Sequence, residues 1–111
     1  MSGATVTPAD GANAARGEVD LHVGGMTLVL RPSFGALVRA EAELGPLFAL
    51  VERAADGRMS LGEIVGLFWH CLREVPAELS REGFAEAVTS AGLRAAMPVL
   101  GRVLRQVVAG Q

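Results

Sequence analysis

The sequence contains no lysine: all ten of its basic residues are arginine. Such a bias points to genome composition before it points to function. Cysteine occurs once, at Cys71, which excludes an intramolecular disulfide and fits a reducing, cytoplasmic setting. No basic stripe is present, and the formal net charge is −2. Nucleic-acid binding needs cationic surface to neutralise phosphates, so no nucleic-acid partner is expected. Long apolar runs are also missing. Charge or glycine interrupts every stretch well short of the roughly 20 residues a membrane span requires, so no membrane partner is expected. The opening residues, MSGATVTPADGANAARG, lack a cationic start and an apolar core, so a signal peptide is not expected either.

What is present is apolar: half of the 111 residues are hydrophobic. That length and composition predict one packed domain rather than disorder. Residues 1–16 are rich in Ala, Gly, Thr and Asn, hold Pro8 and show no periodicity. They are expected to form a flexible N-terminal tail, leaving residues 17–111 as a single domain.

That domain is organised around Gly17–Leu44. Val19, Leu21 and Val23 alternate with Glu18, Asp20 and His22; after Gly24-Gly25, Met26, Leu28 and Leu30 alternate with Thr27, Val29 and Arg31. Two glycines suit a type I′ turn, which needs positive φ at both central positions. A two-residue loop then sets the register: Val23 faces Met26, Leu21 faces Leu28 and Val19 faces Leu30. All six apolar side chains share one face. Across the other face, Glu18 is expected to pair with Arg31.

A lone hairpin is marginal in water, so its apolar face must rest on helices. Ser33, following Pro32, is placed to cap a first helix, with Phe34, Leu37, Val38 and Leu44 as its apolar face. Gly45 ends it and Pro46 opens a short second helix, on which Leu47, Leu50 and Val51 point inward and Glu52, Arg53 and Asp56 form the solvated side. Ser60-Leu61-Gly62-Glu63 matches a capping box. The helix it starts is apolar nearly all round, which predicts a central position. Ser80 should cap a fourth helix carrying Phe84, Val88 and Ala91. The last helix holds Pro98, which predicts either a kink there or a start near Ala95. The expected fold is therefore α+β: an N-terminal two-stranded antiparallel hairpin packed on a bundle of four or five helices.

No catalytic, cofactor-binding or metal-binding constellation stands out, so no enzyme, cofactor or metal is expected. His70 and Cys71 are adjacent, about 100° apart on a helix, whereas convergent ligands need a spacing of three or four. His22 reads as an exposed strand residue, and Gly24-Gly25 lacks the lysine and following helix of a phosphate loop. Two features resist a bland reading. Glu41 lies seven residues after Phe34, inside the first helix's apolar arc. A buried unpaired carboxylate is very costly, so Glu41 needs either a partner, Arg31 being the nearest plausible one, or a place at an open rim; the pairing is the favoured reading. The last helix is apolar over about half its circumference, through Val99, Val103, Val107, Leu100, Leu104 and Val108. The excess is either absorbed between the third helix and the hairpin, or Val99, Val103 and Val107 face outward as a partner-binding patch.

Taken together, G-E-V-x-L-x-x-G-G at Gly17–Gly25, L-R-P-S-F-x-A-L at Leu30–Leu37 and E-x-x-L-G at Glu41–Gly45 resemble a family of small phage proteins. Members are encoded in the tail regions of prophages and gene transfer agents. The segments D-G-R-M-S-L-G-E-I and A-G-L-x-x-A-x-P-V-L extend the similarity over about residues 17–109. The resemblance implies a non-enzymatic tail assembly chaperone that coats helical segments of the tape measure protein before tube subunits polymerise. Some members are instead labelled tail tube proteins, which implies the alternative of a structural virion component such as a tail tube or connector subunit. The partners implied are the tape measure protein or other tail proteins, with a homo-oligomer as a further option. The location is then cytoplasmic for a chaperone and the virion for a structural subunit. A small enzyme or metal protein is the remaining alternative.

Overall fold

Two glycines place the sheet. In the computed structural model, which describes Asn13 and residues 16–110, Gly24 and Gly25 have φ of 57° and 73°. Strands β1 (Val19–Val23) and β2 (Met26–Leu30) flank them. Their register is the expected one, Val19↔Leu30, Leu21↔Leu28 and Val23↔Met26. Five of the six inward residues are buried and Met26 is half-buried. On the opposite face His22 is exposed, its Nδ1 lying 3.1 Å from Thr27 Oγ1 on the facing strand. The expected tail, residues 1–16, lies outside the described residues apart from Asn13 and Arg16.

Five helices follow: α1 (Phe34–Leu44), α2 (Leu47–Ala55), α3 (Leu61–Cys71), α4 (Arg81–Ala91) and α5 (Leu93–Ala109). Serine hydroxyls cap three of them. Ser33 accepts from the Ala36 amide, Ser60 from Glu63 and Ser80 from Gly83. At Ser60 the capping box is complete, because Glu63 Oε1 accepts the Ser60 amide at 2.9 Å. α3 is the centre, with every residue from Ile64 to Phe68 buried. It packs on α1 and α4, while β1 packs on α4 and α5. Trp69 of α3 and Phe84 of α4 stack at a tilt, ring centroids 5.7 Å apart.

Two expectations are corrected, and for α5 the later start near Ala95 is set aside. α1 does not bury Phe34 and Val38: both are exposed, and Ala36 and Ala40 are its buried residues. Small side chains let the α1 axis approach α3, and Leu44 reaches Gly66 of α3, where an added Cβ would lie 3.1 Å from Leu44 Cδ2. Glu18 pairs with Arg73 at 3.1 Å, not with Arg31. Glu18 precedes β1 and turns inward, its side chain 1% exposed; its Oε1 also accepts the Asn13 amide. Arg73 arrives there because the chain leaving α3 lies along β2. The Leu30↔Leu72 bridge is flanked by Arg31 N–H to Cys71 C=O (2.6 Å) and Arg73 N–H to Val29 C=O (2.8 Å). Finally, α5 starts at Leu93, behind Gly92, and continues through Pro98. The Gly92 carbonyl takes the Ala95 and Ala96 amides, so the first turn closes before the proline is reached.

Cys71 ends α3 fully buried, and desolvation pushes its thiol up to about 12, against a smaller opposing effect of Arg39. The thiolate is the reactive species. Native protein at pH 8 is therefore expected to stay unlabelled by a disulfide reagent over hours and to react stoichiometrically in denaturant. Rapid labelling of native protein would show that the end of α3 opens.

Candidate functional site

The charged side chains on the described residues mostly hold helices together. Arg81 of α4 grips Glu43 of α1 with both terminal guanidinium nitrogens, at 2.7 and 2.5 Å. His70 of α3 donates Nε2–H to Glu43 Oε1 at 2.7 Å. Arg53 of α2 donates to Glu63 of α3 at 2.6 Å. Hydrogen bonds from Arg81, then from His70, lower the Glu43 pKa from 4.5 to about 2. A depressed carboxylate contributes stability that is fully present above its unfolded pKa, near 4.5, and is lost as pH falls toward 2. The pair is partly exposed, so solvent screening limits the contribution to about 1 kcal/mol or less. Glu43→Gln should flatten the stability profile between pH 4.5 and 2; urea titrations across that range check it. Among the described residues no group of three or more His, Cys, Asp or Glu is placed to hold a metal ion. No helix of these residues is long and apolar enough to cross a membrane.

A different chemistry appears where α1, α2 and the end of α5 meet. Leu37 and Glu41 of α1, Leu47, Phe48 and Val51 of α2, and Val107 and Val108 of α5 line an open groove of about 260 Å3. Its walls are apolar apart from Glu41. Phe48 stands at its margin 85% exposed. Phe34 and Val38, outside the groove itself, share one helical face with Leu37 and Glu41; Phe34 is also 85% exposed. A phenylalanine left in water forgoes the roughly 1.5–3 kcal/mol that burying it would contribute. Exposed apolar surface gathered in one place is characteristic of interaction sites.

Glu41 has a backbone partner in place of Arg31. It is exposed, and its Oε2 accepts the Leu47 amide at 3.0 Å. Leu47 is the first residue of α2, whose N-cap is Pro46 and therefore supplies no side-chain cap. Only Gly45-Pro46 separate the two helices, so a carboxylate one turn before the end of α1 reaches the free amides opening α2. Of the two placements open to the α5 valines, the outward one fails for Val99 and Val103. Val103 is 0% and Val99 7% exposed, both in the core among α4, α5 and β1. Val107 alone of the three reaches the groove, which Glu41 also lines. Sequence reasoning missed Phe48 and turned Phe34 and Val38 inward. The available signal was Ala36 and Ala40, four apart: small residues mark the closely packed side of a helix and displace the bulky ones to its outside.

A hairpin set on five helices, with an open apolar groove at the meeting of three of them, defines a small α+β protein. The chain belongs to the family described as phage tail tube protein, GTA-gp10, whose model matches residues 16–110. Comparison with curated proteins and with solved structures finds no match.

Proposed function

We propose that this protein is a structural component of a phage-type tail, a tail tube or connector subunit that holds neighbouring tail proteins through the α1–α2–α5 groove. Its membership of a family described by the tail tube carries the reading, and the exposed groove supplies a surface for it. Docking of this kind needs no catalysis. In this role the protein resides in the finished virion.

A second reading, the tail assembly chaperone, is favoured by the shape of the groove. An amphipathic helix laid between α1 and α2 would cover Phe34 and Phe48 together, the helix-in-groove mode of recognition. Helical tape measure segments are then the partner, met in the cytoplasm before assembly. Mass spectrometry of purified particles separates the two. A structural subunit is present in many copies, and a chaperone is absent.

Both readings use the same surface. Phe34→Ser with Phe48→Ser should leave stability within about 0.5 kcal/mol of wild type, as exposed substitutions do. It should raise solubility and abolish co-purification with the co-expressed neighbouring tail proteins. Retained co-purification would move the docking surface elsewhere.

A further inference from the structure

α4 and α5 carry charges of opposite sign that the fold leaves unused. α5 holds Arg94, Arg102 and Arg105 and no acidic residue. Among the described residues none of these arginines makes an ion pair, and neither do Glu82 and Glu86 of α4. Elsewhere among the described residues Arg53, Arg58, Arg73 and Arg81 are paired, while Arg16, Arg31 and Arg39 make no ion pair. The α4 dipole accounts for an acid at Glu82 in the first turn, but not for Glu86 at mid-helix.

Each set of charges borders a surface suited to the other. On α5, Leu93 and Met97 are 50% and 49% exposed. With half-buried Leu104 they form a stripe, and Arg94 and Arg105 run along its edge when the helix is plotted at 100° per residue. Gly101 lies beside that stripe, and a Cβ there would meet nothing within 4 Å. Nothing inside the chain requires a glycine at that point; its bare backbone admits close approach from outside. On α4, Glu82 and Glu86 flank a shallow surface made of the small residues Ala85, Thr89 and Ser90.

We propose that α5 of one copy docks on α4 of the next, seating Leu93 and Met97 over Ala85 and Thr89 and setting Arg94 and Arg105 against Glu82 and Glu86. The two surfaces differ, so the contact is heterologous. Every docked copy still offers one free face of each kind, and association runs on into a ring or an open row. The contact lies outside the α1–α2–α5 groove, so it stands or falls separately from the docking of other tail proteins.

Sedimentation velocity of the full chain at low and high salt tests this. Wild type should associate with rising concentration, more weakly at high salt. Glu82→Arg with Glu86→Arg, and separately Arg94→Glu with Arg105→Glu, should each weaken association at least tenfold while circular dichroism shows an intact fold. Mixed in equal amounts, the two variants should recover wild-type association, because reversed α4 then meets reversed α5. Met97→Glu breaks the same contact without changing α4 and should be monomeric. Phe48→Ser, in the groove, should associate like wild type. A wild type that stays monomeric at low salt overturns the proposal. So do charge-reversed variants that associate undiminished, or a mixture that fails to recover.

Discussion

Val99→Glu combined with Val103→Glu should unfold the protein. Val103 is fully buried and Val99 nearly so, on the side of α5 that packs against β1 and α4. Ionised carboxylates buried there without partners cost several kcal/mol each, against the roughly 5–15 kcal/mol that stabilises a typical domain. The expected result is loss of a cooperative thermal transition and recovery of the chain in inclusion bodies. Val107→Glu, half-buried at the groove, should by contrast leave a folded protein. If the double variant melts like wild type, α5 is packed in a different rotation.

That contrast shows where sequence reasoning stops. The breadth of the apolar arc on α5 was legible, but its rotation was not. Hydrophobic periodicity measures how much of a helix wants cover and leaves open which neighbours supply it. Local rules did better. The register of β1 and β2 followed from a two-residue glycine turn, and Ser33, Ser60 and Ser80 cap helices because an extended residue with a hydroxyl precedes free amides. Long-range pairings were out of reach. Glu18 finds Arg73 across 55 positions, and no local pattern encodes that distance. The groove was legible in part: Glu41 and Val107 stood out as odd, while Phe34 and Phe48 looked like ordinary core residues.

Gly66→Leu should be the most damaging change at a single helical glycine. A Cβ at Gly66 already lies 3.1 Å from both Leu44 Cδ2 and Arg81 Nη2, and 3.5 Å from Glu43 Oε2. Further carbons would fill the space where Glu43 and Arg81 meet, prising α1 and α4 away from α3. Overpacking of this kind costs about 1–3 kcal/mol, and loss of the Glu43–Arg81 contact adds to it. Urea denaturation should place the variant about 3 kcal/mol below wild type. Gly66→Ala should be close to neutral: its methyl displaces only the flexible ends of Leu44 and Arg81, and alanine favours the helix by about 1 kcal/mol. Equal stability of wild type and Gly66→Leu would mean that α1 does not lie against α3 at this point.

The bridge between Leu30 and Leu72 makes the middle of the chain a closed circuit. Two backbone hydrogen bonds clasp it, and α1, α2 and all of α3 lie inside. Closing a circuit of roughly forty residues costs about 3 kcal/mol in chain entropy, so the clasp cannot form early by itself. The hairpin, whose contacts are local, can form within microseconds; the clasp must wait until α1 has found α3. Once made, it opens only when that whole segment lets go. The Arg31 and Arg73 amides should therefore exchange with deuterated solvent at one shared, slow rate, as members of one cooperative unit.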